Sequence, residues 1–163
     1  MQTRTERIQK DIETLAQFTS TPGKGVTRSS YSKEDTMAKD YLTGEMKKIG
    51  LEIYEDGFGT LFGRREGTMK DAPVVMLGSH YDSVVNGGAF DGVAGSVSAL
   101  EVMRVLTEEG FVNDYPLELI LMNAEEGATF GPSTGVSNSR AMLGTMTQRE
   151  LETVKNRFGQ TKL

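Results

Sequence analysis

The chain has 163 residues, enough for one domain with a real core; 37% of them are hydrophobic and 25% charged, the balance of a soluble globular protein. Its 23 acidic against 18 basic side chains leave a net charge of -5, which argues against nucleic acid as a partner, since phosphate binding wants a basic face. It has no cysteine, which excludes disulfides, thiolate metal sites and a cysteine nucleophile.

Thr3 and Glu6 stand at capping-box spacing, and Ile8, Ile12 and Leu15 recur at helical intervals, predicting a helix over 4–18. This N-terminus is amphipathic but carries several acids, unlike a secretion or transit signal, so a cytoplasmic protein is expected. TSTPGKGVTRSS (19–30) reads as a loop. Ser32 and Asp35 suggest a second cap, followed by the stripe Ala38, Leu42, Met46 and Ile49, which stops at Gly50. LEIYEDGFGTLFGRREG (51–67) holds two short strand-like runs around Asp56-Gly57, as in a hairpin.

APVVMLGSH (72–80) is a continuous apolar run, predicting a buried strand in a sheet covered on both faces. Val93, Val97, Leu100 and Leu106 mark a helix ending near Gly110, and YPLELILMNAEEG (115–127) predicts a second buried strand. Thr147 and Glu150 would cap a last helix with Leu151, Val154 and Phe158 on its apolar side. The longest apolar runs are far too short to span a bilayer, so no membrane association is expected. Helix, helix, hairpin, strand, helix, strand, helix implies an α/β fold with a mixed or parallel sheet.

Both predicted strands end in ionisable residues. One runs into the only histidine, His80, with Asp82 two residues later; the other runs into Glu125 and Glu126. The crossover helix makes the strands parallel, so both carboxyl ends open on one side, where ligands gather in such sheets. Asp91 lies at the start of that helix, where an anion is favoured. One imidazole among several carboxylates suits zinc, manganese, cobalt or nickel rather than calcium. Asp82, on the same side of an extended chain as His80, could accept its second N–H. Glu125 and Glu126 would diverge on an extended segment, so one could bind metal while the other acts on water. The plainer alternatives are Asp91 as a helix cap, Glu125-Glu126 as an exposed turn and VNGG as a tight turn.

GSHYDSVVNGGAFDGVAG (78–95), NAEEGATFGPS (123–133), the earlier stretch from Gly25 to Gly67 and the later SRAMLG (139–144) together resemble the amidohydrolase branch of the two-metal peptidase superfamily. That branch comprises the N-carbamoyl-L-amino-acid hydrolases, allantoate amidohydrolases and β-ureidopropionases. The resemblance implies a three-layer α/β/α catalytic domain with a mixed sheet and two divalent metal ions. His80 resembles the first metal's ligand, Asp91 the bridging carboxylate and Glu126 a ligand of the second metal. Glu125 matches the general base and Asp82 the residue that orients the histidine. Thr60 stands where the family commonly has asparagine, and STGVSNSRAMLG is looser than the family's glycine-serine-arginine pattern.

Members of the branch are more than twice as long, with two further histidine ligands and an inserted dimerisation domain. Residues 1–163 are therefore expected to form the N-terminal portion of the catalytic domain. The expected activity is hydrolysis of carbamoyl or ureido C–N bonds in a small-molecule substrate, by a homo-oligomer. The alternatives are an inactive remnant that self-associates through open sheet edges, and an aminopeptidase-like peptidase.

Overall fold

The computed structural model describes residues 2–69, 71–127, 129–130, 136–156 and 159. In chain order the elements are α1 (Thr5–Ala16), α2 (Lys33–Lys48), β1 (Glu52–Glu55), β2 (Leu61–Arg65), β3 (Val75–His80), α3 (Val93–Glu108), β4 (Leu117–Met122), α4 (Ser137–Met142) and α5 (Gln148–Thr153). The four strands form one mixed sheet in the order β1-β2-β4-β3. β1–β2 and β2–β4 are antiparallel, and β3–β4, joined through α3, is parallel. This is the α/β architecture expected.

Alternation along the strands sets the two faces of the sheet. Leu61, Leu119 and Leu121 point towards the helices and join Ile12, Leu15, Leu42, Met46, Val97, Leu100 and Met103 in the core. The opposite face carries the stacked pair Tyr54 and Phe62, with ring centroids 4.6 Å apart. Phe62 and Ile120 are buried there, but Tyr54 and Met76 are exposed.

The expectation of a β3 covered on both faces therefore fails. Its place at the sheet edge leaves Val75 and Met76 about half exposed (50% and 46%). An apolar run reports a strand, but not whether a neighbour flanks it. β4, in the sheet's interior, is buried along its middle four residues as predicted.

Local signals fared unevenly. Ser32 caps α2 by accepting the Asp35 N–H at 3.2 Å, and Gly50 follows in the left-handed conformation (φ 73°). Thr147 caps α5 in the same way through Glu150 N–H. The Thr3–Glu6 box does not form: Arg4 holds the cap position of α1, and its N–H donates to Glu101 Oε1 at 2.8 Å on α3. A tertiary carboxylate has replaced the local cap. The β1–β2 connection is a five-residue loop rather than a tight Asp-Gly turn, with Asp56 Oδ1 accepting the N–H groups of Phe58 and Thr60. α5 ends at Thr153, so Val154 lies past its last turn; Phe158 lies outside the described residues. α4 was not anticipated. Among the described residues no helix is long and apolar enough to cross a membrane.

Candidate metal centre

β3 and β4 deliver their carboxyl ends to one side, and His80 is the last residue of β3. Its main-chain carbonyl accepts the hydroxyl of Ser96, in the first turn of α3, at 2.8 Å. Tyr81 then turns into the core and is fully buried. Arg28, also buried, donates to the carbonyls of Tyr81 (2.6 Å), Leu15 (2.6 Å) and Phe18 (3.3 Å). This guanidinium thus fastens the end of α1 beneath the segment between His80 and Asp82.

The loop leading to α3 bends back over the imidazole. Gly92 is the helix cap, with φ 64°, and a Cβ there would lie 2.4–2.5 Å from three atoms of the His80 ring. Only glycine lets the backbone approach so closely in this conformation. Asp91 precedes that cap and makes no side-chain capping bond, so the helix-cap reading of Asp91 is not realised. Its carboxylate, 67% exposed, stands 3.9 Å from His80 Nε2.

Glu125 and Glu126 follow β4 after Ala124, which adopts φ 57°. The chain has left the strand, so the divergence expected of an extended pair does not apply. Glu125 Oε2 stands 3.7 Å from His80 Nε2. Ligand atoms of His80, Asp91 and Glu126 lie within 4.8 Å of one another, which makes these three a group able to hold a metal ion. Zinc takes nitrogen and oxygen donors at about 2.0–2.2 Å, the donor types that these three side chains offer.

Electrostatics favour a cation here. Burial, followed by the hydrogen bond to Asp91, raises the pKa of Glu126 above its ordinary value. Burial alone would lower the pKa of His80, but hydrogen bonding and charge from Asp82, with Glu125 beyond, raise it to about 9. The imidazole Nδ1 lies 3.1 Å from the Asp82 main-chain oxygen and 3.5 Å from its carboxylate. The expected contact between Asp82 and the ring is thus made by its backbone and its carboxylate together.

The Asp82 carboxylate also holds the facing loop. Oδ1 accepts the Glu125 N–H at 3.2 Å, and Oδ2 accepts the Glu126 N–H at 3.1 Å and the Ser30 hydroxyl at 3.2 Å. All five residues singled out from the sequence therefore meet. Sequence reasoning missed Arg28 and Ser30, in a stretch read only as a loop; no periodicity or motif spacing marks them.

The family model of peptidase family M28 matches residues 60–156, a span that includes all five site residues. The chain belongs to peptidase family M28. Within this M28 chain, similarity to carbamoyl hydrolases extends over nearly the whole length. It is 46% identical to an N-carbamoyl-L-amino-acid amidohydrolase of Paenarthrobacter aurescens, over 94% of this chain and 37% of that protein. It is 35% identical to an allantoate amidohydrolase of Bacillus subtilis, over 91% of this chain and 35% of that one. The fold matches the crystal structure of a hydantoinase/carbamoylase family amidase from Burkholderia ambifaria with a TM-score of 0.90 and 32% identity, covering 98% of this chain and 39% of that one. The chain thus spans little more than a third of the relatives it matches.

Proposed function

We propose that this M28 chain carries part of the active site of a metal-dependent amidohydrolase that cleaves carbamoyl or ureido C–N bonds in N-carbamoyl amino acids or allantoate. The observation that carries this reading is the convergence of His80, Asp91 and Glu126, with Glu125 at 3.7 Å from the imidazole. Similarity to carbamoyl and allantoate hydrolases supports the substrate class. His80 and Asp91 would hold one divalent ion, and Asp91 with Glu126 a second; zinc, manganese, cobalt and nickel all suit these donors. Bound divalent ions would polarise the scissile carbonyl and make water acidic enough to attack near neutral pH.

Glu125 is the proposed general base and is partly open to solvent (30% exposed). It takes the proton of the attacking water as the C–O bond forms, and returns it to the nitrogen as the C–N bond breaks. An N-carbamoyl amino acid would give the free amino acid and carbamate, which decomposes to ammonia and carbon dioxide. Asp82 holds Glu125 and Glu126 by their backbone N–H groups.

The test has two arms. Calorimetric titration of the metal-free chain with Mn²⁺ or Zn²⁺ is expected to show binding that His80→Ala abolishes; no binding of either ion overturns the assignment of ligands. Ammonia release from N-carbamoyl-L-amino acids and from allantoate, beside cleavage of aminoacyl anilides, separates the amidohydrolase from a peptidase. Cleavage of the anilides alone overturns the substrate class.

A further inference from the structure

Among the described residues only three other than glycine have positive φ: Tyr31 (64°), Asn86 (54°) and Ala124 (57°). For a side chain with a Cβ this conformation costs energy and persists only where the surroundings enforce it. Two of the three are tied to the same pair of buried side chains. Asp35 Oδ2 accepts the Tyr31 N–H at 2.9 Å and the side-chain amide of Asn123 at 3.3 Å. Asn123 Oδ1 in turn accepts the Ala124 N–H at 2.9 Å. Asp35 is 2% exposed and Asn123 1%.

The room for this bridge is built in. A Cβ at Gly59 would lie 3.3 Å from the Asn123 amide nitrogen, so the β1–β2 loop closes over it without a side chain. Beyond Ala124 the next two N–H groups belong to Glu125 and Glu126, and both go to Asp82. The turn out of β4 is therefore held at both ends, by Asn123 with Asp35 on one side and by Asp82 on the other.

We infer that Asp35 and Asn123 are positioning residues: a carboxylate–amide strut, rooted in the first turn of α2, that holds the left-handed turn at Ala124 and so aims Glu125 and Glu126 at His80. Its consequence for metal rests on the reading of Glu126 as a ligand, whereas its consequence for the turn does not. A buried Asp and Asn unrelated to the turn would affect the whole fold evenly. A strut acts locally.

Amide hydrogen exchange of the metal-free chain reads the turn directly. Exchange at Glu125 and Glu126 should accelerate about tenfold or more in Asp35→Ala and in Asn123→Ala, while Leu119 and Leu121 in β4 keep their protection. Asp35→Asn should remain as wild type, because the single oxygen at the Oδ2 position accepts both bonds. If an alanine variant fails to fold, Asn123→Ser, which shortens the amide to a hydroxyl, is measured in its place. Unchanged exchange at Glu125 and Glu126, or equal acceleration throughout β4, overturns the strut. Mn²⁺ titration of the same proteins should show about 10–100-fold weaker binding in the alanine variants, the usual effect of removing a ligand's support. Altered exchange in a chain whose wild type binds no Mn²⁺ leaves the strut standing and removes the metal site.

Discussion

Asp82 Oδ2 accepts the main-chain N–H of Glu126 at 3.1 Å, across 44 positions of sequence, and this bond joins the end of β3 to the turn after β4. With Oδ1 on Glu125 and the Ser30 hydroxyl also on Oδ2, one buried carboxylate satisfies three donors from two loops. Replacement by alanine leaves those donors without acceptors. Asp82→Ala should destabilise the fold by about 3 kcal/mol in a chemical melt and weaken Mn²⁺ binding about 10–100-fold. Wild-type values for both would show that the clamp carries no energy.

His80 should give opposite pH trends for metal and for the metal-free fold. Its pKa is raised from 6.5 to about 9 in the metal-free protein, so a divalent ion must displace a proton below that pH. Mn²⁺ affinity should rise towards about tenfold per unit between pH 7 and 9 and flatten above. A raised pKa stabilises the fold at low pH. That contribution, at most about 3 kcal/mol, is complete below pH 6.5 and is lost as pH rises through 9. Melts of wild type and His80→Ala across this range isolate it.

Gly92→Ala places a methyl group where the His80 ring lies, in a backbone conformation that already disfavours a side chain. The variant should lose measurable Mn²⁺ binding in calorimetry. Its thermal midpoint should fall by several degrees, consistent with a cost of about 1–3 kcal/mol. An alanine variant with normal affinity would mean that the loop relaxes freely.

Glu125→Gln separates binding from chemistry. The amide cannot take a proton, yet Glu125 lies outside the ligand group of His80, Asp91 and Glu126. Metal affinity should stay within about threefold, while hydrolysis by the full protein falls by about 10²–10⁴. Near-normal turnover would remove Glu125 as the base.

The β3 edge carries Val75 and Met76 exposed on a strand, VMLGSH, with no lysine, arginine or acid. Such an edge is a template for pairing. Sedimentation should show self-association growing with protein concentration, and Val75→Lys should suppress it; a monomer at all concentrations would show that the edge is inert.

Much of the centre was legible because its chemistry is local in sequence. His80 and Asp82 are two residues apart, Glu125 and Glu126 are adjacent, and the helix between two apolar runs dictates that the runs be parallel. The features that escaped are those set by tertiary neighbours. No pattern within residues 72–80 reveals that β3 stands at an edge, because sheet order is set by pairing with distant strands. Asp82 was expected to serve the imidazole, and its carboxylate does stand 3.5 Å from the ring, but nothing local foretold that it also holds the glutamate loop, a partner 44 positions away. Arg28 offers no signal at all, since a buried guanidinium satisfied by three carbonyls looks in sequence like any loop cation.

The ring lodged against Gly92 is also the molecule's single imidazole. Every histidine resonance in a nitrogen-15 spectrum therefore arises at the proposed centre, with nothing else to subtract. Tautomer, protonation and ion capture can all be followed on one set of peaks, with no substitution in the chain.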